Sequence, residues 1–139
     1  MKDGLFFEYK VEIRFADIDV VGHVNNAVYL TYFEQARMMF FSELIGEAWD
    51  WNKSGVLLAH NEVDYFEPVL LSDELIISTW CSKIGNSSLT LEYDAYRIPF
   101  GKKEKSLCTK GKSVLVCFDF EKKRKISVPE AWKEGLIKA

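Results

Sequence analysis

Between Arg14 and Arg37 the chain reads RFADIDVVGHVNNAVYLTYFEQAR, the one stretch where carboxylate, imidazole and amide side chains crowd together. Asp19 can accept a proton or attack as a nucleophile, Asp17 suits a structural role as partner of loop N–H groups or of Arg14 or Arg37, and the imidazole of His23, one of only two histidines, can donate and accept hydrogen bonds. Asn25 and Asn26 can donate and accept hydrogen bonds. The same residues also suit a bland role, because Asp, Gly and Asn build tight turns and cap helices. Asp17, Asp19 and His23 could be read as metal ligands, yet the only other histidine, His60, stands alone in sequence, so no metal is expected.

The elements that must position this stretch are legible on both sides of it. From Phe7 to Phe15, apolar Phe7, Tyr9, Val11, Ile13 and Phe15 alternate with Glu8, Lys10, Glu12 and Arg14, which predicts a strand with one buried face. After the turn-forming residues 17–26, Tyr29, Phe33, Ala36, Phe40 and Leu44 recur at helical spacing, with Leu30 and Met39 widening the stripe. A helix of roughly five turns follows, from Ala27 to about Leu44, with Asn25 or Asn26 as its N-cap. Glu34 and Arg37, three apart, can pair on it. Met38, Met39, Phe40 and Phe41 exceed what one stripe requires, which suggests that a second subunit covers part of this surface.

The remainder reads as strands: Val56 to Phe66, ended by Pro68; Glu74 to Lys83; Leu89 to Tyr96 after a Gly85-Asn86 turn; and about Ser106 to Phe120. Pro129 opens a short helix predicted over Glu130 to Ile137. One strand, one long helix and four further strands predict an α+β fold, with about five antiparallel strands wrapped around a central helix.

With 139 residues and 48% hydrophobic content, the chain is expected to form one domain over residues 1–139. A net charge of −3 gives no reason to expect nucleic acid or an anionic membrane as partner, although local basic clusters can hold a phosphate. Cys81, Cys108 and Cys117 form no CxxC pair and suit a reducing compartment as inert thiols. The N-terminus lacks an apolar leader and no apolar run is long enough to span a membrane, so a cytoplasmic protein without membrane insertion is expected.

The combination DxD, GHVNN, Tyr29 and E-x-x-R ending at Arg37 resembles hotdog-fold thioesterases of the 4-hydroxybenzoyl-CoA thioesterase type. It is most similar to their bacterial acyl-CoA branch and the related plant acyl-ACP thioesterases. The resemblance implies hydrolysis of acyl-CoA or acyl-ACP thioesters without a cofactor, in a homodimer or homotetramer with sites at subunit interfaces. It makes Asp19, the second aspartate of the pair, the catalytic carboxylate, acting as base or nucleophile. The backbone N–H of Asn26, at the helix start, becomes the donor to the thioester carbonyl, with Asn25 and Val24 beside it and Tyr29 in the substrate site. His23 then orients Asp19 or the carbonyl, or braces the loop. Plant members carry an asparagine two residues after the catalytic aspartate, where this chain has Val21. CoA phosphates need cations, for which Lys83, Arg97, Lys102, Lys103 and Lys105, near strand ends and in a loop, are candidates. A non-catalytic acyl-CoA-binding or scaffold module and a hydratase or dehydratase are the competing readings.

Overall fold

The computed structural model describes residues 4–136. Its elements run β1 (Phe6–Val11), a 3-10 turn (Phe15–Asp17), α1 (Val28–Ile45), β2 (Ser54–Tyr65), β3 (Glu74–Ile84), β4 (Ser88–Ile98), β5 (Ser106–Asp119), β6 (Arg124–Lys125) and α2 (Glu130–Leu136). The five long strands form one antiparallel sheet in the order β1-β3-β4-β5-β2, and the two-residue β6 pairs with β5. The expected α+β architecture is present, with β6 as an addition that no sequence alternation announced. Ile137 and the first three residues lie outside the described residues. None of the described helices is long and apolar enough to cross a membrane.

Period-two patterning builds the inner face of this sheet. Leu75, Ile77, Thr79 and Cys81 of β3 and Leu89, Leu91, Tyr93 and Ala95 of β4 are buried, as are Thr109, Ser113, Leu115 and Cys117 of β5. Against them α1 lays Tyr29, Tyr32, Phe33, Ala36, Arg37, Phe40 and Phe41, all buried. Each large apolar side chain so buried contributes about 1.5–3 kcal/mol relative to exposure. The stripe is widened by Tyr32, Arg37 and Phe41 rather than by Leu30 and Met39. Those two stay exposed, as does Met38, and Leu44 is only half-buried.

Two further expectations change. The first strand ends at Val11, because its partner β3 begins at Glu74 and the pairing stops at Val11 opposite Leu75. Phe15 therefore leaves the sheet and is 83% exposed. The helix N-cap is Ala27 without a side-chain cap, since Asn25 spends its Oδ1 on the Ala27 N–H one step earlier (2.9 Å). The helix ends at Gly46, whose φ of +69° costs a glycine little.

Helix and sheet approach each other tightly at Gly111 of β5, opposite Phe33. A Cβ there would meet the Phe33 ring at 2.6 Å, and that ring cannot yield, being buried and stacked on Tyr93 with centroids 4.5 Å apart. Gly111→Ala is expected to destabilise the fold by about 1–3 kcal/mol, measured as a lower denaturation midpoint in urea.

Candidate active site

An isolated bridge between Ile18 and Val24 closes the loop that carries Asp19 and His23. Inside it, Asp19 N–H donates to the His23 carbonyl (2.8 Å) and Gly22 N–H to the Asp19 carbonyl (3.0 Å). Gly22 sits at φ +87°, where a Cβ would be strained. Asp19 Oδ1 accepts from Val21 N–H at 3.0 Å and, more weakly, from His23 N–H at 3.4 Å. Among the described residues Oδ2 has no partner, so half of this carboxylate organises the loop while the other half is free.

Asp17 has the opposite character. It is 2% exposed and accepts from the Arg14 backbone N–H (3.0 Å), the Arg14 guanidinium (3.0 Å) and the Tyr32 hydroxyl (2.7 Å). Burial pushes its carboxyl up, but these three donors together outweigh burial and hold it below the usual carboxylate range. Tyr32 is pushed well above its ordinary value, by burial and then by Asp17. Of the two arginines that sequence offered as partner, Arg14 is used, while Arg37 pairs with Glu34 at 3.7 Å.

The amides at the helix start are sorted by their bonds. Val24 N–H donates to the Val69 carbonyl (2.8 Å) and Asn25 N–H to the Asp17 carbonyl (2.9 Å). Both expected neighbouring donors are thus consumed, because they tie the loop to the β2–β3 connection and to the 3-10 turn. Asn26 N–H has no acceptor among the described residues. Its carbonyl accepts from the Tyr65 hydroxyl at 2.8 Å, which clamps the helix start to the end of β2.

These residues line a cleft of about 350 Å³. Asp19, Val21, His23, Val24, Asn26 and Tyr29 form one side, and Tyr65 through Val69 form the other. Tyr29 is 2% exposed, and Tyr65 packs edge-on to it at 5.4 Å. The His23 ring is half-buried and has no hydrogen-bond partner among the described residues, so the loop is braced by the His23 main chain and not by its imidazole. Asn25 does not line the cleft. Lys83, near the end of β3, and Lys102, in the loop before β5, are exposed and lie outside the lining, so one chain does not bring them to it.

The far side of the cleft was not anticipated from sequence, where Pro68 marked only a strand end. Phe66 and Glu67 N–H groups both donate to the Cys108 carbonyl (2.8 and 3.2 Å). Glu67 Oε1 accepts from the Ser106 hydroxyl at 3.1 Å and lies 3.6 Å from Arg97, which also pairs with buried Asp73 at 2.9 Å. Local patterning has no signal for a wall made by contacts between distant segments. Among the described residues no group of three or more His, Cys, Asp or Glu is placed to hold a metal ion. Burial pushes the Cys117 thiol up to about 11, and Cys81, where backbone hydrogen bonds partly oppose burial, also to about 11.

The arrangement offers a partly free carboxylate, a free imidazole and a free backbone donor at one cleft. Comparison with known proteins gives a family match to the Thioesterase-like superfamily over residues 13–136. The chain is 32% identical to the uncharacterized protein YsmA of Bacillus subtilis over 137 residues, covering 98% of this chain and 88% of that protein. It is 24% identical to the long-chain acyl-CoA thioesterase FadM of Escherichia coli, covering 91% and 94%. Among solved structures, a thioesterase from Thermus thermophilus complexed with coenzyme A and Zn aligns with a TM-score of 0.75 at 36% identity, covering 93% of this chain and 90% of that one.

Proposed function

We propose that this chain, which belongs to the thioesterase-like superfamily, hydrolyses acyl-CoA or acyl-ACP thioesters to a free acid and a thiol. The 4-hydroxybenzoyl-CoA thioesterase type, in its bacterial acyl-CoA branch, is the subgroup we assign, with residues 1–139 as one domain. The observation that carries the reading is the contrast at the helix start: Val24 and Asn25 N–H groups are bonded, whereas Asn26 N–H is left open on the cleft that Asp19 lines. Coenzyme A bound to the Thermus relative supports CoA as the thiol carrier.

In this reading the thioester carbonyl oxygen lies at Asn26 N–H, where the unpaired donor and the positive end of α1 favour developing negative charge. An oxyanion donor of this kind is worth roughly 3–4 kcal/mol in other enzymes. Asp19 Oδ2 takes a proton from water as the water oxygen bonds to the carbonyl carbon. The tetrahedral oxyanion then collapses, the C–S bond breaks, and the proton held by Asp19 passes to the leaving thiolate. Attack by Asp19 itself, followed by hydrolysis of the resulting anhydride, uses the same placement. The His23 imidazole, unpaired and at the cleft, is assigned to the carbonyl or the attacking water. The proposal is tested by thiol release across short, medium, long and aromatic acyl-CoAs and an acyl-ACP. Release of a free thiol is expected from at least one, and release from none overturns it.

Tyr65 is a positioning residue in this scheme, because it holds the Asn26 carbonyl. Tyr65→Phe deletes one hydrogen bond of about 1 kcal/mol, so kcat is expected to fall about fivefold with KM little changed. Assays at several substrate concentrations check this, and a change in KM alone would remove Tyr65 from the scheme.

We also assign the working form to a homo-oligomer, with Lys83 and Lys102 supplying charge to the CoA phosphates within that assembly. Exposed Leu30, Met38 and Met39 on α1 and Leu57 and Leu58 on the edge strand β2 support a covered surface. Light scattering at micromolar concentration is expected to give a dimer or tetramer, and a monomer would overturn the assignment.

A further inference from the structure

Glu67 is the group in the cleft that the hydrolytic scheme leaves unused. Its Oε1 is fixed by Ser106 and Arg97, while among the described residues Oε2 has no partner. Glu67 and Asp19 both line the cleft, and among the described residues no lysine or arginine does. Arg97 does not cancel the charge of Glu67, because it is shared with Asp73 and sits closer to it, 2.9 Å against 3.6 Å. The three groups carry a net charge of −1. A carboxylate bound at the Glu67 wall of this cleft of about 350 Å³ lies within a Debye length, about 8–10 Å, of Glu67. Asp19 is needed for the chemistry, so Glu67 is the carboxylate free to act on selectivity.

We propose that Glu67 is a specificity-determining residue that makes the cleft reject acyl groups ending in a carboxylate and accept uncharged ones of the same length. The inference rests on the thioesterase reading. An anion brought beside Glu67 is repelled by an ion that its bonds to Ser106 and Arg97 prevent from turning away. Discrimination comes from the unfavourable contact with the wrong substrate more than from attraction to the right one.

The test compares hexanoyl-CoA with adipoyl-CoA, which differ by the terminal carboxylate. The wild type is expected to prefer hexanoyl-CoA by about tenfold or more in kcat/KM, the size of one like charge at that range, expressed mainly in KM. Glu67→Gln keeps the shape and a carbonyl for Ser106, and is expected to close the ratio to about twofold by raising the adipoyl rate. Glu67→Asp, retaining the charge, is expected to keep the preference. An equal rate on both thioesters in the wild type, or an unchanged ratio in Glu67→Gln, overturns the proposal. Should that variant fail to fold, added salt applied to the wild type must narrow the ratio by screening, and a ratio indifferent to salt overturns it. Calorimetric dissociation constants separate the two readings. Weaker binding of adipoyl-CoA than of hexanoyl-CoA without turnover of either overturns hydrolysis alone, equal binding overturns the role of Glu67, and binding of neither overturns both.

Discussion

Asp19→Asn is expected to lower kcat by about 10²–10⁴-fold, the usual contribution of a positioned general base, with the denaturation midpoint almost unmoved. The two halves of that expectation come from the two oxygens of one carboxylate. Oδ1 accepts from Val21 and His23 N–H groups, and an asparagine carbonyl can occupy the same position and accept the same bonds. The loop then keeps its shape, including the Asp19 N–H bond to the His23 carbonyl and the positive φ at Gly22. Oδ2 becomes an amide that can neither take a proton from water nor attack a carbonyl carbon. KM is expected to change little, since the scheme gives Asp19 no contact that holds the ground-state substrate more tightly than the transition state. Initial rates with the best acyl-CoA, beside thermal melts of both proteins, provide the check. Undiminished turnover would remove Asp19 from the chemistry.

Asp17→Asn is expected to do the reverse, costing about 2–3 kcal/mol of stability through weakened bonds to a charged acceptor and retaining most turnover below its melting midpoint. The amide replaces a carboxylate that takes three donors at once, and its NH2 group faces either the Arg14 guanidinium or the Arg14 backbone N–H, neither of which can accept a hydrogen bond. A drop in melting temperature on the order of 10 °C follows. The charge also gives the fold a pH dependence whose sign is determined. Because the folded carboxyl lies below its unfolded value, the unfolded chain binds the proton more readily. The stabilisation is therefore complete above the unfolded value near 3.9 and is lost as pH falls through the lower, folded one. Urea midpoints of wild type and variant are expected to converge on acidification. Turnover lost with stability intact would instead move Asp17 into the catalytic machinery.

Legibility in the sequence followed the range of the interactions. The α1 stripe is local: Tyr29, Phe33, Ala36 and Phe40 are buried as their spacing predicts, because a helix repeats every 3.6 residues whatever lies beyond it. Its width was not local. Tyr32 enters the interior to reach Asp17, and Arg37 is buried beside the sheet, whereas Leu30 and Met39, the better candidates by hydropathy, point to the exposed side. The strand predicted through Phe15 stopped at Val11 for a similar reason, since a strand lasts only as long as its partner. At the site, the loop and its residue types were readable from turn chemistry, but the bond that would have made Asn25 a helix cap was spent on Ala27.

Residue order alone set the alternation of strands around one long helix, the loop that carries Asp19 and His23 to the helix start, and the resemblance that points to thioester chemistry. These depend on periodicity, turn preference and spacing between near neighbours, which act before the chain closes on itself. Which carboxylate is consumed and which amide is free depended on long-range packing. Asp17 is spent because Tyr32, 15 residues on, is brought over it. Asn26 is the open donor because Val69 takes the Val24 N–H, while Tyr65, 39 residues away, clamps its carbonyl. Glu67 lines the same cleft as Asp19 only because the segment after β2, which runs beside β5, forms the other wall. A hydrogen bond satisfies one group at the expense of every other claimant, and which claimants arrive is settled by the packing of distant segments.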